Sequence, residues 1–108
     1  MPAAARVGDK SRCLDDSHGC PACPHTVIGP IIIGSPNVMI NSIPAARATD
    51  LDRGIHASCC GPNFYNIKEG SDKVFINGYP AARAGDQTQH CGGTGTIIEG
   101  SLNVKIGD

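Results

Sequence analysis

Tryptophan is absent from this sequence of 108 residues, and only two phenylalanines and two tyrosines are present. Large aromatic side chains can therefore supply little of the core, and the remaining Val, Ile and Ala suit a thin sheet core. No stretch approaches the roughly 18 apolar residues of a membrane-spanning helix. Positive charge is not in excess either, because the net charge is −1 and no Lys/Arg cluster occurs. This balance argues against nucleic acid or an anionic membrane surface as the main partner.

The first residues, Met-Pro-Ala-Ala-Ala-Arg, lack the apolar segment of a secretory signal. We therefore expect synthesis in the cytoplasm, with any export carried out by other machinery. In a reducing compartment, cysteines more often bind metal than form disulfides. Metal binding is therefore favoured over disulfides for the six cysteines, which are Cys13, Cys20, Cys23, Cys59, Cys60 and Cys91.

One strand-like pattern occurs three times, at residues 34–41, 70–77 and 100–107, and reads Gly-Ser-Xaa-Xaa-Val-Xaa-Ile. The alternation is that of a half-buried strand, with Val38 and Ile40 inward, Met39 outward, and the corresponding residues of the other copies likewise. A short apolar run precedes each Gly-Ser pair. The pattern therefore predicts three hairpins, each turning at its Gly-Ser pair.

A second motif, Pro-Ala-Ala-Arg, occupies residues 44–47 and 80–83, and Ala-Ala-Ala-Arg occupies residues 3–6. In each copy the Arg stands three residues before an Asp, which predicts a local ion pair. Three units over residues 1–108 predict a single domain whose two termini lie at the same end. The connecting segments 10–30, 51–66 and 87–96 vary in length and hold all the cysteines and histidines. We expect them at the end opposite the motifs.

This combination of motifs resembles the PAAR-repeat family, whose members form the tip of the type VI secretion spike. The resemblance implies an all-β fold: a small cone or pyramid of three β-hairpin repeats with pseudo-threefold symmetry and a structural zinc near the apex. It implies a bacterial spike-tip protein that caps the VgrG trimer, sharpens the spike for membrane puncture and effector delivery, and is translocated with it. Membrane contact is expected only during puncture, and a separate effector is a further candidate partner. No appended effector domain is expected in this chain.

One chain can match a trimer only if it presents three similar surfaces, so we expect one chain per VgrG trimer. Arg6, Arg47 and Arg83 are the candidate partner-binding residues. The alternative is that these arginines only stabilise their turns through ion pairs, each worth about 0.2–1 kcal/mol if exposed.

Structural zinc sites use four N or S ligands and contribute about 10–16 kcal/mol of apparent binding energy. The His-rich, single-Cys set that the resemblance implies is matched by His25, His56, Cys60 and His90, with Cys59 and Cys91 as alternates. Three states stay open for the remaining cysteines, Cys13, Cys20 and Cys23: a second metal site, a disulfide formed after delivery, or buried thiols.

A catalytic zinc would need an open coordination position and a nearby carboxylate base. Neither His-Glu-Xaa-Xaa-His nor His-Xaa-Glu occurs in the sequence. We therefore predict that the protein is not an enzyme. The alternative functions are a zinc-binding structural module of another contractile injection or phage-like spike and, less favoured, a disulfide-stapled secreted mini-protein or a zinc hydrolase.

Overall fold

The computed structural model describes residues 2–16, 25–49, 53–56, 63–90 and 94–106. Strands, turns and irregular backbone make up these segments, which contain no helix and therefore none that could span a membrane. The all-β fold predicted from the repeats is confirmed. The strands are β1 (Lys10–Asp16), β2 (His25–Pro30), β3 (Met39–Ile40), β4 (Ile43–Pro44), β5 (Arg53–His56), β6 (Asn63–Ile67), β7 (Phe75–Ile76), β8 (Tyr79–Pro80), β9 (Gln87–Gln89) and β10 (Thr94–Ile97).

Six of these strands form one antiparallel sheet in the order β2-β1-β10-β9-β6-β5. The sheet consists of three hairpins, β1-β2, β5-β6 and β9-β10. A bridge between Ile31 and Gly54 joins its two ends, so the sheet closes almost into a barrel. The described residues measure 39 × 23 × 23 Å, as expected for a slender cone.

The strand pairing differs from the sequence prediction in one respect, because the Gly-Ser pairs do not turn the hairpins. β1 pairs instead with β2, β5 with β6 and β9 with β10, while β3 pairs with β4 and β7 with β8. The physical reason is local: the Ser35 hydroxyl accepts a hydrogen bond of 2.9 Å from the Val38 N–H, which closes a tight turn. The same bond recurs in the other two copies, at Ser71–Val74 and Ser101–Val104.

The predicted alternation within the repeated segment is confirmed. Ile40 is 8% exposed whereas Met39 is 52% exposed, and Ile76 and Phe75 show the same contrast at 7% and 56%. The third copy is completed by the start of the chain, because the Ala4 N–H donates to the Val104 carbonyl at 2.9 Å. The first motif and the last segment therefore form one unit, which brings the described ends of the chain together.

A closed ring of backbone hydrogen bonds marks the pseudo-threefold axis. The N–H of Ala5 donates to the carbonyl of Ala82, that of Ala82 to Ala46, and that of Ala46 to Ala5, each at 3.0 Å. Each alanine comes from a different copy of the motif, and all three are fully buried. A cyclic arrangement of this kind requires near-equivalent backbones, so the predicted pseudo-threefold symmetry is confirmed.

The core consists of two small clusters, one of which contains the alanine ring. Most members come in sets of three equivalent residues, and the exception is Tyr65, which has no aromatic counterpart in the other units. The cluster inside the hairpins is Ala5, Ile31, Ala46, Tyr65, Ile67, Ala82 and Ile97. The cluster at the motif end is Ala4, Ile40, Ala45, Ile76, Ala81 and Ile106.

The three seams between neighbouring hairpins differ in their strand pairing. Among the described residues, two seams carry two registered residue pairs each, whereas the seam between β2 and β5 carries only the Ile31–Gly54 bridge. Pro30 occupies the position where the next pair would form, and proline has no N–H to donate to a ladder. The symmetry of the cone is therefore broken at this seam.

Candidate functional site

The motifs lie at the end of the cone opposite the hairpin turns. Asp9 directly precedes β1 and Asp86 directly precedes β9, so each of these motifs feeds the open end of a hairpin. Both strands of each hairpin lie almost entirely within one variable segment, so the middle of that segment connects their other ends. The predicted separation of constant motifs from variable segments is confirmed for these two units, and it defines two candidate sites: a motif end and an apical end.

At the motif end, two of the three predicted Arg–Asp pairs are present. Arg6 Nε lies 3.0 Å from Asp9 Oδ2 and its NH2 lies 3.1 Å from Asp9 Oδ1. Arg83 and Asp86 repeat this bidentate contact at 3.1 and 2.7 Å. Each aspartate also accepts a hydrogen bond from the backbone N–H of its own arginine. The hydrogen bond to Asp9 raises the pKa of Arg6.

Arg47, the third arginine, is only 5% exposed. Its guanidinium lies 5.4 Å from the ring centre of Tyr79, and NH1 donates to Asn77 Oδ1 at 3.2 Å. Asp50, the predicted partner of Arg47, lies outside the described residues. The contacts of Arg6 and Arg83 agree with the turn-stabilising interpretation, whereas those of Arg47 reach the neighbouring unit. Contact of the three arginines with a partner stays a prediction.

Asparagines connect neighbouring units at the motif end, which the sequence patterns did not reveal. Asn41 Oδ1 accepts from the Ser101 hydroxyl at 2.6 Å, and Asn77 Oδ1 accepts from the Ser35 hydroxyl at the same distance. Both asparagines have positive φ angles, of 54° and 55°, which asparagine tolerates better than most residues. A signal was available in the sequence, since Asn follows Ile in two of the three repeats.

Exposed side chains surround this network at the motif end. Met39, Phe75 and Lys105 occupy the middle position of the three repeated segments, and all three are exposed. Each lies opposite the first residue of a motif: Pro44, Pro80 and Ala3, respectively. A partner that approached the motif end would therefore meet similar backbone in all three units but different side chains.

At the apical end, the structure buries His90, one of the four predicted zinc ligands. His90 is 2% exposed, and its ring stacks on Tyr65 with ring centres 4.6 Å apart. Its Nε2 lies 2.9 Å from Thr88 Oγ1 and 3.3 Å from Ser11 Oγ. The two hydroxyls are themselves 2.5 Å apart, and both residues are fully buried. His90 is thus held inside the cone by neighbours on three sides.

The Tyr65 ring packs against one face of the His90 ring. Its hydroxyl donates to the Gly29 carbonyl at 2.8 Å, and burial raises its pKa. A side chain at Gly54, the residue opposite Tyr65 in the strand pairing, would overlap the tyrosine ring. Glycine at this position is therefore required by the size of the aromatic ring.

Strand register identifies the equivalent positions of the three hairpins. In each hairpin, one inward-facing pair of residues occupies the equivalent position. The three pairs are Ser11–Gly29, Gly54–Tyr65 and Thr88–Gly95. Two residues further toward the turns, the equivalent positions are held by Cys13, His56 and His90.

Cys13 is buried like His90, being 1% exposed. The structure therefore brings Cys13 and His90 into the interior at one level of the cone. For His56 it describes the backbone alone, at the third equivalent position. Cys13 was not among the four predicted ligands, although counting four residues from each motif Asp already aligns it with His90.

The other predicted ligands are described less fully. The backbone of His25 lies in β2, opposite Asp16. Cys60 lies outside the described residues, and so do its alternates Cys59 and Cys91. No group of three or more His, Cys, Asp and Glu side chains suited to a metal ion occurs within the described part of the chain. The four-residue zinc set therefore stays a prediction.

Comparison with known families bears on the whole arrangement. The PAAR motif family matches residues 22–94, which is more than half of the chain. The matched region contains Arg47, Arg83 and all four predicted zinc ligands. None of the curated proteins compared with the chain matches it significantly.

Proposed function

Since the chain belongs to the PAAR-motif family, whose members are spike-tip proteins of type VI secretion-like systems, we propose that it caps a VgrG trimer. It would sharpen the spike for membrane puncture and effector delivery, moving from the bacterial cytoplasm with the spike. Separate effectors are further proposed partners. A structural role of this kind needs no catalytic residues, and we propose that the protein is not an enzyme.

The ring of Ala5, Ala46 and Ala82 is the observation that carries this proposal. A trimer presents three copies of one surface around a threefold axis, and a single chain can cap it only with an axis of its own. The ring places the three motif backbones around such an axis at equal hydrogen-bond distances of 3.0 Å. The proposed complex therefore contains one chain per trimer.

In this role the motif end would bear the force along the spike axis during puncture, and its internal hydrogen bonds would keep it rigid. The arginines and aspartates hold the turns, and Asn41 and Asn77 tie neighbouring units together at 2.6 Å. A docking surface with this much internal hydrogen bonding loses little conformational entropy when a partner binds. We propose that the trimer contacts the backbone around Arg6, Arg47 and Arg83, with Met39, Phe75 and Lys105 at the rim.

Native mass spectrometry of the protein mixed with a purified VgrG trimer tests this proposal. We expect a single species with one chain per trimer; three chains per trimer would contradict the symmetry argument. Phe75→Glu at the motif end is expected to weaken the complex, because it puts a charge in the interface. Phe64→Glu is the matched control, since Phe64 is 52% exposed, against 56% for Phe75, and lies on a hairpin strand.

We also propose a structural Zn²⁺ at the apical end, bound by His25, His56, Cys60 and His90. The donor types fit zinc, because imidazole and thiolate are its preferred ligands. Of the four, the side chain that the structure describes is that of His90, and it is buried in the interior. Bound zinc would hold the hairpin ends together where the cone has little apolar surface to bury.

Metal analysis of the purified monomer, prepared under reducing conditions, tests the zinc proposal. We expect one zinc per chain, a lower melting temperature after chelation, and loss of the metal in His56→Ala. Protein without metal and with its cysteines oxidised would instead support the disulfide-stapled alternative. Comparing Cys60→Ser with Cys13→Ser would show which thiol binds, since the buried position of Cys13 makes it a competing candidate.

A further inference from the structure

We propose that Thr88 and Ser11 are positioning residues, which hold the His90 ring so that it binds zinc through Nδ1. This inference rests on the proposed zinc site. It concerns two residues that are not metal ligands and one choice that the ligand set leaves open, namely which ring nitrogen of His90 carries the metal.

The Nε2 atom of His90 already has two hydroxyl neighbours. Thr88 Oγ1 lies at 2.9 Å and Ser11 Oγ at 3.3 Å, and the two oxygens are 2.5 Å from each other. Both hydroxyl residues are fully buried. A buried hydroxyl is costly to leave without a hydrogen bond, so this cluster is a stable arrangement that commits Nε2 to the protein.

The ring cannot readily turn to exchange its two nitrogens. On one side it stacks on Tyr65, at an interplanar angle of 23° and a centroid distance of 4.6 Å. Tyr65 is itself fixed by its hydrogen bond of 2.8 Å to the Gly29 carbonyl. Near Nε2 the strand is so close that a Cβ added to Gly95 would lie 2.5 Å from that atom. Turning the ring would therefore require repacking of the surrounding core.

The hydroxyls are also compatible with the tautomer that a metal on Nδ1 needs. A neutral imidazole has one N–H, and the nitrogen without it is the one that can bind a metal. If Nε2–H donates to Thr88 Oγ1, the Thr88 hydroxyl can donate in turn to Ser11 Oγ, and Nδ1 keeps its lone pair. Metal-bound histidines generally donate their other N–H to an oxygen in this way, and such partners orient the ring.

Both hydroxyls therefore serve the same histidine. Ser11, Gly54 and Thr88 hold equivalent positions in the three hairpins, but the middle one is glycine because Tyr65 fills its space. The polar residues at this position in the first and third hairpins, Ser11 and Thr88, both lie within hydrogen-bond distance of His90. The asymmetry of the core at this level thus provides one anchored ligand.

The test uses the full chain and measures its zinc affinity by competition with a chromophoric chelator. Thr88→Val keeps the shape of the side chain but removes the hydroxyl, and we expect it to weaken zinc binding about 10–100-fold, the usual effect of losing such a partner. Thr88→Ser restores a hydroxyl and should bind zinc within about threefold of the wild type. Ser71→Ala is the stability control, because it removes a buried hydroxyl and its hydrogen bonds at the motif end rather than beside His90; its zinc affinity should not change.

Nitrogen-15 NMR of the wild-type zinc complex gives an independent readout that does not depend on any variant folding. We expect the His90 Nε2 resonance to show a bound proton and the Nδ1 resonance to show metal coordination. Zinc on Nε2, or wild-type affinity in Thr88→Val, would overturn the inference while leaving the zinc site in place. A wild-type protein that binds no zinc would refute the metal site itself and the inference with it.

Discussion

Replacing Tyr65 with alanine should be among the most damaging single changes in the described part of the chain. Tyr65 is fully buried, its hydroxyl bonds to Gly29, and its ring supports His90. Because the two other units have glycine at the equivalent position, no neighbouring aromatic ring can take its place. The part of the core beside His90 therefore depends on one side chain.

The magnitude follows from burial. Truncation of a buried aromatic side chain to alanine costs about 3–5 kcal/mol, including the cavity that it leaves. Loss of the hydrogen bond to the Gly29 carbonyl adds about 1 kcal/mol. The expected decrease in the free energy of unfolding is therefore about 4–6 kcal/mol, comparable with the whole stability of a marginal domain.

Urea denaturation of metal-free protein, analysed by linear extrapolation, measures this loss. Phe64→Ala is the matched control: the residue precedes Tyr65 on the same strand, but it is 52% exposed. It should lose only about 1 kcal/mol, because about half of its apolar surface is already in water. Tyr65→Phe, expected to lose about 1 kcal/mol, gives a value even if the alanine variant does not fold. Similar losses for the two alanine variants would refute the reasoning.

Three further predictions concern the same core and the motif end. Burial raises the pKa of Tyr65, so the native state holds this proton more tightly than the unfolded chain does. The stabilisation should be complete below pH about 10, and the free energy of unfolding should fall by about 1.4 kcal/mol per pH unit above it. Tyr65→Phe should lack this slope in alkaline denaturation. Gly54→Ala should cost about 1–3 kcal/mol or more alone but much less when combined with Tyr65→Ala, and additive losses in a double-mutant cycle would contradict the overlap of the two side chains. Asp86→Ala should cost about 2–3 kcal/mol, because the residue is 4% exposed and accepts three hydrogen bonds from Arg83, whereas Asp72→Ala, at an exposed position, should be nearly neutral in the same denaturation assay.

Features that depend on residues close in sequence were predictable from the sequence. The alternation of Val38, Met39 and Ile40 states which side chains face inward, because side chains on a strand alternate between its two faces. The spacing from Arg6 to Asp9 is short enough for the turn itself to bring the two together. Because these signals occur three times, the sequence predicted three similar units arranged around one axis.

The pairing of strands was less accessible. Short apolar runs before each Gly-Ser pair suggested hairpins there, but the Ser35 N–H donates to the carbonyl of Ala45, in the motif that follows. Each hairpin instead pairs two strands from the same variable segment, as β1 pairs with β2. Which segments meet depended on hydrogen bonds that a hydrophobicity pattern does not encode.

Among the candidate zinc ligands, His90 was predicted by residue type and by its place in a variable segment, and its burial is what the structure adds. Cys13 was set apart from the ligands, although its count from Asp9 matched that of His90 from Asp86. The strand register agrees with that count, because it puts both positions at one level of the cone.

The sequence by itself determined the number of units, the inward and outward faces of the repeated strands and the ion pairs, because each depends on neighbours a few residues away. Only the tertiary structure decided that Ala5, Ala46 and Ala82 close a ring, that Tyr65 occupies the space left by Gly54, and that the hydroxyls of Ser11 and Thr88 meet at His90. These contacts join residues from different units, and they arise because closing the sheet brings distant parts of the chain to the same point in space.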